Sequence, residues 1–316
     1  MGKKIVFLGT PDIACPFLRE LAQSGFEISA VITMPDKKAG RGLTLMCPAV
    51  KTEGENLNIP VYQPKSPSEL YSILQTLSPD LGVVVAYGRI LKKEVLESVP
   101  LGFINAHFSL LPKYRGAAPV RHAILNGEKE TGMTVFKIDE GMDTGPVILQ
   151  KKIQILPQEN SISLFNRLAQ IGKIALKEAV SAVLEGKVRY IPQQGEVSYA
   201  PKIEAKDTFL DFRLPYYKIY DAIRAFCFDP RARFFSPSCG LIQIISALYH
   251  NKDFTKGEPG ILVSFEKGKG IFIKCGEGAV LLEKIKPEGK KEINAYDFFI
   301  NGKRMKEGDK IADERR

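Results

Sequence analysis

The chain has 316 residues, of which 44% are apolar, and a net charge of +9. That length accommodates two domains, and that composition is globular rather than disordered. No apolar run reaches the roughly 20 residues of a membrane helix, and five scattered cysteines form neither a CxxC pair nor a zinc spacing, so reduced thiols, a cytoplasmic location and no metal are expected.

In chain order, residues 5–8 form an apolar run too short for a signal peptide. Gly9-Thr10-Pro11-Asp12 cuts it off, which predicts a first strand. Pro11 suits a helical first turn, and Phe17, Leu18 and Leu21 then recur at helical spacing. Residues 26–32 alternate as a strand does. Residues 35–48 read as a loop rich in Lys, Arg, Gly and Pro. The continuous apolar run over 81–86 fits a buried parallel strand. A strand over 101–107, a helix over 117–126 and a strand over 132–138 follow. A long helix spans 161–185, with Ser161 as its N-cap and Gly186 as its stop. Strands alternating with helices predict an α/β fold built on an open, mostly parallel sheet.

The pattern changes after Gly186. Residues 188–204 lack helical periodicity and carry two prolines, as a linker does. A helix is predicted over 215–226. Short alternating runs at 232–235, 241–247, 260–265, 270–275 and 279–285, separated by Gly and Pro, predict a small antiparallel barrel. The expected division is therefore 1–188, a linker over 189–205, and 206–316. Residues 206–316 hold 21 basic and 16 acidic side chains, and residues 1–205 hold 24 and 20, so the shorter segment is the more basic per residue. A polyanionic partner fits that balance, and so does simple solubility. The charged tail from Lys303 is expected to fray.

Three segments can carry chemistry. Asn105 and His107 close the strand over 101–107 and share one of its faces. They bring an amide donor and a base that is neutral near pH 7, the groups acyl transfer requires. A strand end whose His is merely hydrogen-bonded would hold the same residues. Asp139-Glu140-Gly141-Met142-Asp143-Thr144-Gly145 follows the strand over 132–138, and Asp143 can reach back toward His107; both aspartates could instead cap a turn. Lys37, Lys38 and Arg41 lie on a loop bounded by Gly and Pro, able to follow a phosphate backbone or to face solvent. No GxGxxG follows the first strand and no Walker sequence occurs, which argues against NAD and ATP.

Together these motifs resemble the methionyl-tRNA formyltransferase family of folate-dependent formyltransferases. The resemblance rests on Gly9-Thr10-Pro11, Pro35-Asp36 with Ala39-Gly40-Arg41-Gly42, and Val84-Val85-Ala86-Tyr87-Gly88. It continues through Asn105-x-His107, Ser109-Leu110-Leu111-Pro112-Lys113-Tyr114-Arg115-Gly116 and Asp143-Thr144-Gly145, with Arg224-Ala225-Phe226 farther on. It is dense over residues 4–150 and thinner beyond. It implies a Rossmann-like domain binding 10-formyltetrahydrofolate as co-substrate, and a C-terminal OB-like barrel that helps hold initiator methionyl-tRNA. A monomer with no membrane contact is expected. By the same resemblance the catalytic trio falls on Asn105, His107 and Asp143. Folate contacts fall on Ser109, Leu110, Leu111, Pro112, Tyr87 and Gly88, and tRNA contacts on Lys37, Lys38 and Arg41. Phe108 stands where a small residue is expected, and Met34 and Ile13 replace a Gln and a Phe. Two other readings stay open: a formyltransferase acting on a small amine, such as an amino-sugar nucleotide or glycinamide ribonucleotide, and a non-catalytic RNA-binding protein.

Overall fold

A computed structural model describes residues 2–39, 44–250 and 254–311, and it divides the chain into two compact units. The first comprises residues 1–119, 130–153 and 165–200, and the second comprises residues 120–129, 154–164 and 201–316.

The first unit is built on a seven-stranded sheet. In chain order its elements begin with β1 (Lys4–Gly9), α1 (Cys15–Gln23), β2 (Glu27–Ile32), a hairpin of β3 (Lys37–Ala39) and β4 (Thr44–Met46), α2 (Ala49–Asn56) and β5 (Val61–Tyr62). Then come α3 (Pro67–Leu77), β6 (Leu81–Val85), α4 (Lys93–Glu97), β7 (Phe103–His107), β8 (Glu130–Lys137), β9 (Val147–Gln154) and most of α6 (Ser161–Leu184), while α5 (Pro119–Leu125) falls almost wholly in the second unit. The strand order is β5-β2-β1-β6-β7-β8-β9. The first five run parallel, and β8 pairs antiparallel with β7. The central strands read as near-continuous apolar runs because both faces are covered; every residue of β6 is buried. Phe17, Leu18 and Leu21 are the buried face of α1, as their spacing predicts. Residues 35–48, expected as a loop, include the β3–β4 hairpin, in which Lys38 pairs with Leu45.

The long helix begins at Ser161 itself, so Ser161 is not its cap. The Asn160 side chain accepts the Ser163 amide, while the Ser161 hydroxyl donates to the Ala225 carbonyl. Asn160 thus satisfies an orphan amide of the first turn.

The second unit carries α7 (Tyr216–Ala225) and the strands β10 (Arg233–Ser236), β11 (Gly240–Leu248), β12 (Leu262–Glu266), β13 (Gly270–Lys274), β14 (Ala279–Pro287) and β15 (Ile293–Asn294). The antiparallel order is β10-β11-β14-β13-β12, with β15 on β14. The sheet forms an OB-like half-barrel with Phe234, Ile242, Ile244, Phe272 and Ile285 in its core. Residues 303–311 do not fray as expected. Leu262 donates to the Asp309 carbonyl, Ile311 donates to the Gly260 carbonyl, and the Ile311 side chain is fully buried. No helix among the described residues is long and apolar enough to cross a membrane.

Candidate active site

A cavity of about 560 Å³ opens beyond the carboxyl ends of β1, β6 and β7, where open α/β sheets hold ligands. Its wall takes Pro11 and Ile13 from the turn after β1, Ala86 to Leu91 from the turn after β6, and Asn105 and His107 from β7. Ile138 to Asp143 close it from the segment after β8. Gly9 ends β1 and Val85 ends β6, and the two are register partners, so these turns emerge side by side.

His107 is 6% exposed. Its Nε2 donates to the backbone carbonyl of Tyr114 at 2.9 Å. A carbonyl can only accept, so the proton of the neutral ring sits on Nε2 and the lone pair on Nδ1. Nδ1 lies 3.6 Å from Asp143 Oδ2, and that same oxygen accepts the Gly116 amide at 2.7 Å. Burial is the strongest influence on the imidazole and pushes its pKa below the usual histidine range. The Asp143 charge and the Tyr114 carbonyl act in the opposite direction. The Phe136 ring meets the imidazole edge to face, 6.5 Å away.

The backbone around this pair is bent into uncommon shapes. Tyr114 and Asp143 both adopt left-handed φ values, 61° and 55°. Such residues persist where the surroundings over-determine them, and they cluster at functional sites. Gly116, at φ 118°, passes so close to the chain at Ala200 that a Cβ would lie 2.8 Å from its carbonyl oxygen. The two aspartates divide the roles considered for them. Asp139 caps the turn, accepting from the Gly141 amide and the Thr144 hydroxyl, while Asp143 faces the histidine.

Residues 189–200 lie within this unit, and their part in the site has no signal in the sequence. Tyr114 N donates to Ser198 Oγ, Arg115 N donates to the Ser198 carbonyl, and Ala200 N donates to the Arg115 carbonyl. Val147 and Ile191 exchange both backbone bonds. The Gln193 carboxamide joins the Asp143 loop to Arg115 through four hydrogen bonds.

The structure therefore brings Asn105, His107 and Asp143 to one cavity, with Tyr87 and Gly88 in its wall. Tyr87 is almost wholly buried. Its ring is buried in the core beside Leu8, Ile32 and Leu91, burial pushes its phenol pKa up, and its carbonyl accepts the Thr10 hydroxyl. Ser109, Leu110, Leu111 and Pro112 lie outside the cavity lining. They make bonds within the turn and to Thr134: Ser109 Oγ donates to the Lys113 carbonyl, Thr134 Oγ1 donates to the Ser109 carbonyl, and Leu111 N donates to Thr134 Oγ1. Phe108 packs edge to face against Phe17 and Phe165 and also reaches the cavity wall. Exposed Lys37 lines a second hollow of about 410 Å³ that shares Pro11, Ala86, Tyr87 and Gly88 with the first. Lys38 sits on β3, and Arg41 lies outside the described residues.

Residues 3–180 match the formyl transferase family, and residues 202–304 match the formyl transferase C-terminal domain. The chain is 42% identical to the methionyl-tRNA formyltransferase of Thermosipho africanus, over 98% of this chain and 99% of that one. It is 40% identical to the methionyl-tRNA formyltransferase of Kosmotoga olearia, with the same coverage of each. Among solved structures it resembles an N-formyltransferase from Helicobacter canadensis, crystallised with folinic acid and dTDP-3-aminofucose. The TM-score is 0.66 at 23% identity, over 89% of this chain and 99% of that one, a likeness of fold.

Proposed function

The chain belongs to the methionyl-tRNA formyltransferase family, and from that membership we propose how it moves a formyl group from 10-formyltetrahydrofolate to the α-amine of initiator methionyl-tRNA. One observation carries the reading: a buried His107 with its lone pair on Nδ1, backed by Asp143 and set beside Asn105 in the wall of one cavity.

The neutral amine attacks the formyl carbon. The carbonyl electrons move onto oxygen, and the Asn105 carboxamide donates a hydrogen bond to that oxyanion, an effect of about 10²–10³ in rate for comparable donors. His107 Nδ1 accepts a proton from the attacking nitrogen. Asp143, 3.6 Å away, stabilises the imidazolium so formed. The carbonyl then re-forms, the bond from carbon to the folate nitrogen breaks, and the imidazolium returns its proton to that nitrogen. The amine has lost one proton, the folate nitrogen has gained one, and the ring ends neutral. The depressed pKa of His107 suits this sequence, because a base must enter it unprotonated.

The cavity wall supports folate binding there: it is mostly apolar with a few polar side chains, Arg89, Asp139, Glu140 and Asp143 among them, as such pockets are. Ser109 to Pro112 serve that pocket by holding the turn that carries Tyr114. Residues 1–188 supply the chemistry. Lys37, Lys38, Arg41 and the basic segment 206–316 hold the RNA. The test offers methionyl-tRNA and a small amino-sugar nucleotide in parallel, with 10-formyltetrahydrofolate as donor. Formylation of the tRNA alone supports the reading, and formylation of the small amine alone overturns it.

A further inference from the structure

The geometry points to Gln193, in the segment between the two family-matched regions, as the residue that positions Asp143 against His107; this rests on the function proposed above.

An amide side chain offers two N–H donors on one atom and two lone pairs on the other. Gln193 uses all four. Nε2 donates to the Asp143 carbonyl at 2.8 Å and the Gly145 carbonyl at 2.9 Å, while Oε1 accepts from Arg115 Nη2 at 2.6 Å and Nε at 3.2 Å. One side chain thus ties together two loops that reach the histidine from different strands. Arg115 directly follows Tyr114, whose carbonyl holds His107 Nε2, and Asp143 faces Nδ1. The loop carrying Asp143 needs such a tie. Asp143 is in the left-handed region, and Gly145 runs so near the Lys137 carbonyl that a Cβ would collide with it. Gln193 is half-buried, so its bonds are partly sheltered from competing water. Only asparagine offers the same donors and acceptors, on a side chain one methylene shorter. Glutamate keeps the acceptors for Arg115 but loses both donors and sets a negative charge against two carbonyls.

Formyl transfer to methionyl-tRNA is compared for the full chain, Gln193→Ala, Gln193→Glu, Asp143→Asn and the double variant Gln193→Ala/Asp143→Asn. Gln193→Ala is expected to lower kcat by about tenfold to a hundredfold, the scale of an ångström of misplacement, with little change in KM for tRNA. Gln193→Glu is expected to lose a similar factor although its contact with Arg115 survives. The double variant is expected to be no slower than Asp143→Asn, since the residue acts through that carboxylate. A second readout needs no turnover: the NMR titration midpoint of His107 falls in Gln193→Ala, toward its value in Asp143→Asn. A kcat within twofold of the unsubstituted chain, a full additional loss in the double variant, or an unmoved His107 midpoint in Gln193→Ala overturns the inference. An unsubstituted chain that makes no formylmethionyl-tRNA overturns the proposed function instead.

Discussion

His107 Nε2 sits 2.9 Å from the carbonyl oxygen of Tyr114, so a backbone group fixes the tautomer while the carboxylate of Asp143 stands 3.6 Å from the other nitrogen. The division of labour differs from triads in which the carboxylate alone orients the ring. In the proposed mechanism Asp143 stabilises charge on the ring, and the turn that carries Tyr114 aims it.

The first prediction concerns protonation. Burial lowers the His107 pKa below the ordinary value of 6.5, so the ring stays neutral at pH 7. The Asp143 charge favours the imidazolium, and its removal disfavours it. The NMR midpoint of His107 should therefore lie below that of an exposed histidine and fall farther in Asp143→Asn. With three histidines in the chain, His107→Ala identifies the resonance.

A second prediction tests the bent loop. Gly116→Ala puts a Cβ 2.8 Å from the Ala200 carbonyl at a φ of 118°, and it disturbs the amide that Asp143 Oδ2 accepts. The strain should cost about 1–3 kcal/mol in urea unfolding and lower kcat as well.

Phe108 gives a third. The residue is 7% exposed, and its ring meets Phe17 and Phe165 at centroid distances of 5.9 and 5.5 Å. Phe108→Ala should destabilise the first unit by about 3–5 kcal/mol, the range for a buried ring. Phe108→Leu should cost less. Thermal and urea unfolding of the two variants measure the difference.

Much of this arrangement was legible in the sequence because it is local. Alternation placed Asn105 and His107 on one face of β7, and two glycines marked a tight loop around Asp143. Other features had a signal that is easy to pass over. The helix over Pro67–Leu77 begins with Ser66 accepting the Glu69 amide while Glu69 accepts the Lys65 amide, and Pro67 occupies its first turn. The long helix shows how one residue misleads: Ser161 looks like a cap, yet adjacent Asn160 makes the bond and leaves Ser161 to Ala225. The remainder is tertiary. The Tyr114 carbonyl is backbone and carries no sequence mark, and Gln193 meets Asp143 across 50 residues of chain, which no spacing rule detects.

A fourth prediction addresses the basic loop. Lys37→Ala and Arg41→Ala should each weaken methionyl-tRNA binding and reduce the slope of log K against log salt by about one unit. Turnover at saturating tRNA should stay near that of the unsubstituted chain. Filter binding across a salt series reads the slope directly.

The most direct measurement of the central claim is single-turnover formyl transfer from 10-formyltetrahydrofolate to initiator methionyl-tRNA, with His107→Ala and Asn105→Ala beside the unsubstituted chain. The unsubstituted chain should yield formylmethionyl-tRNA. The substitutions should lower the rate about 10²–10⁴-fold and about 10²–10³-fold respectively, with folding intact. Near-normal rates in both variants would contradict the account.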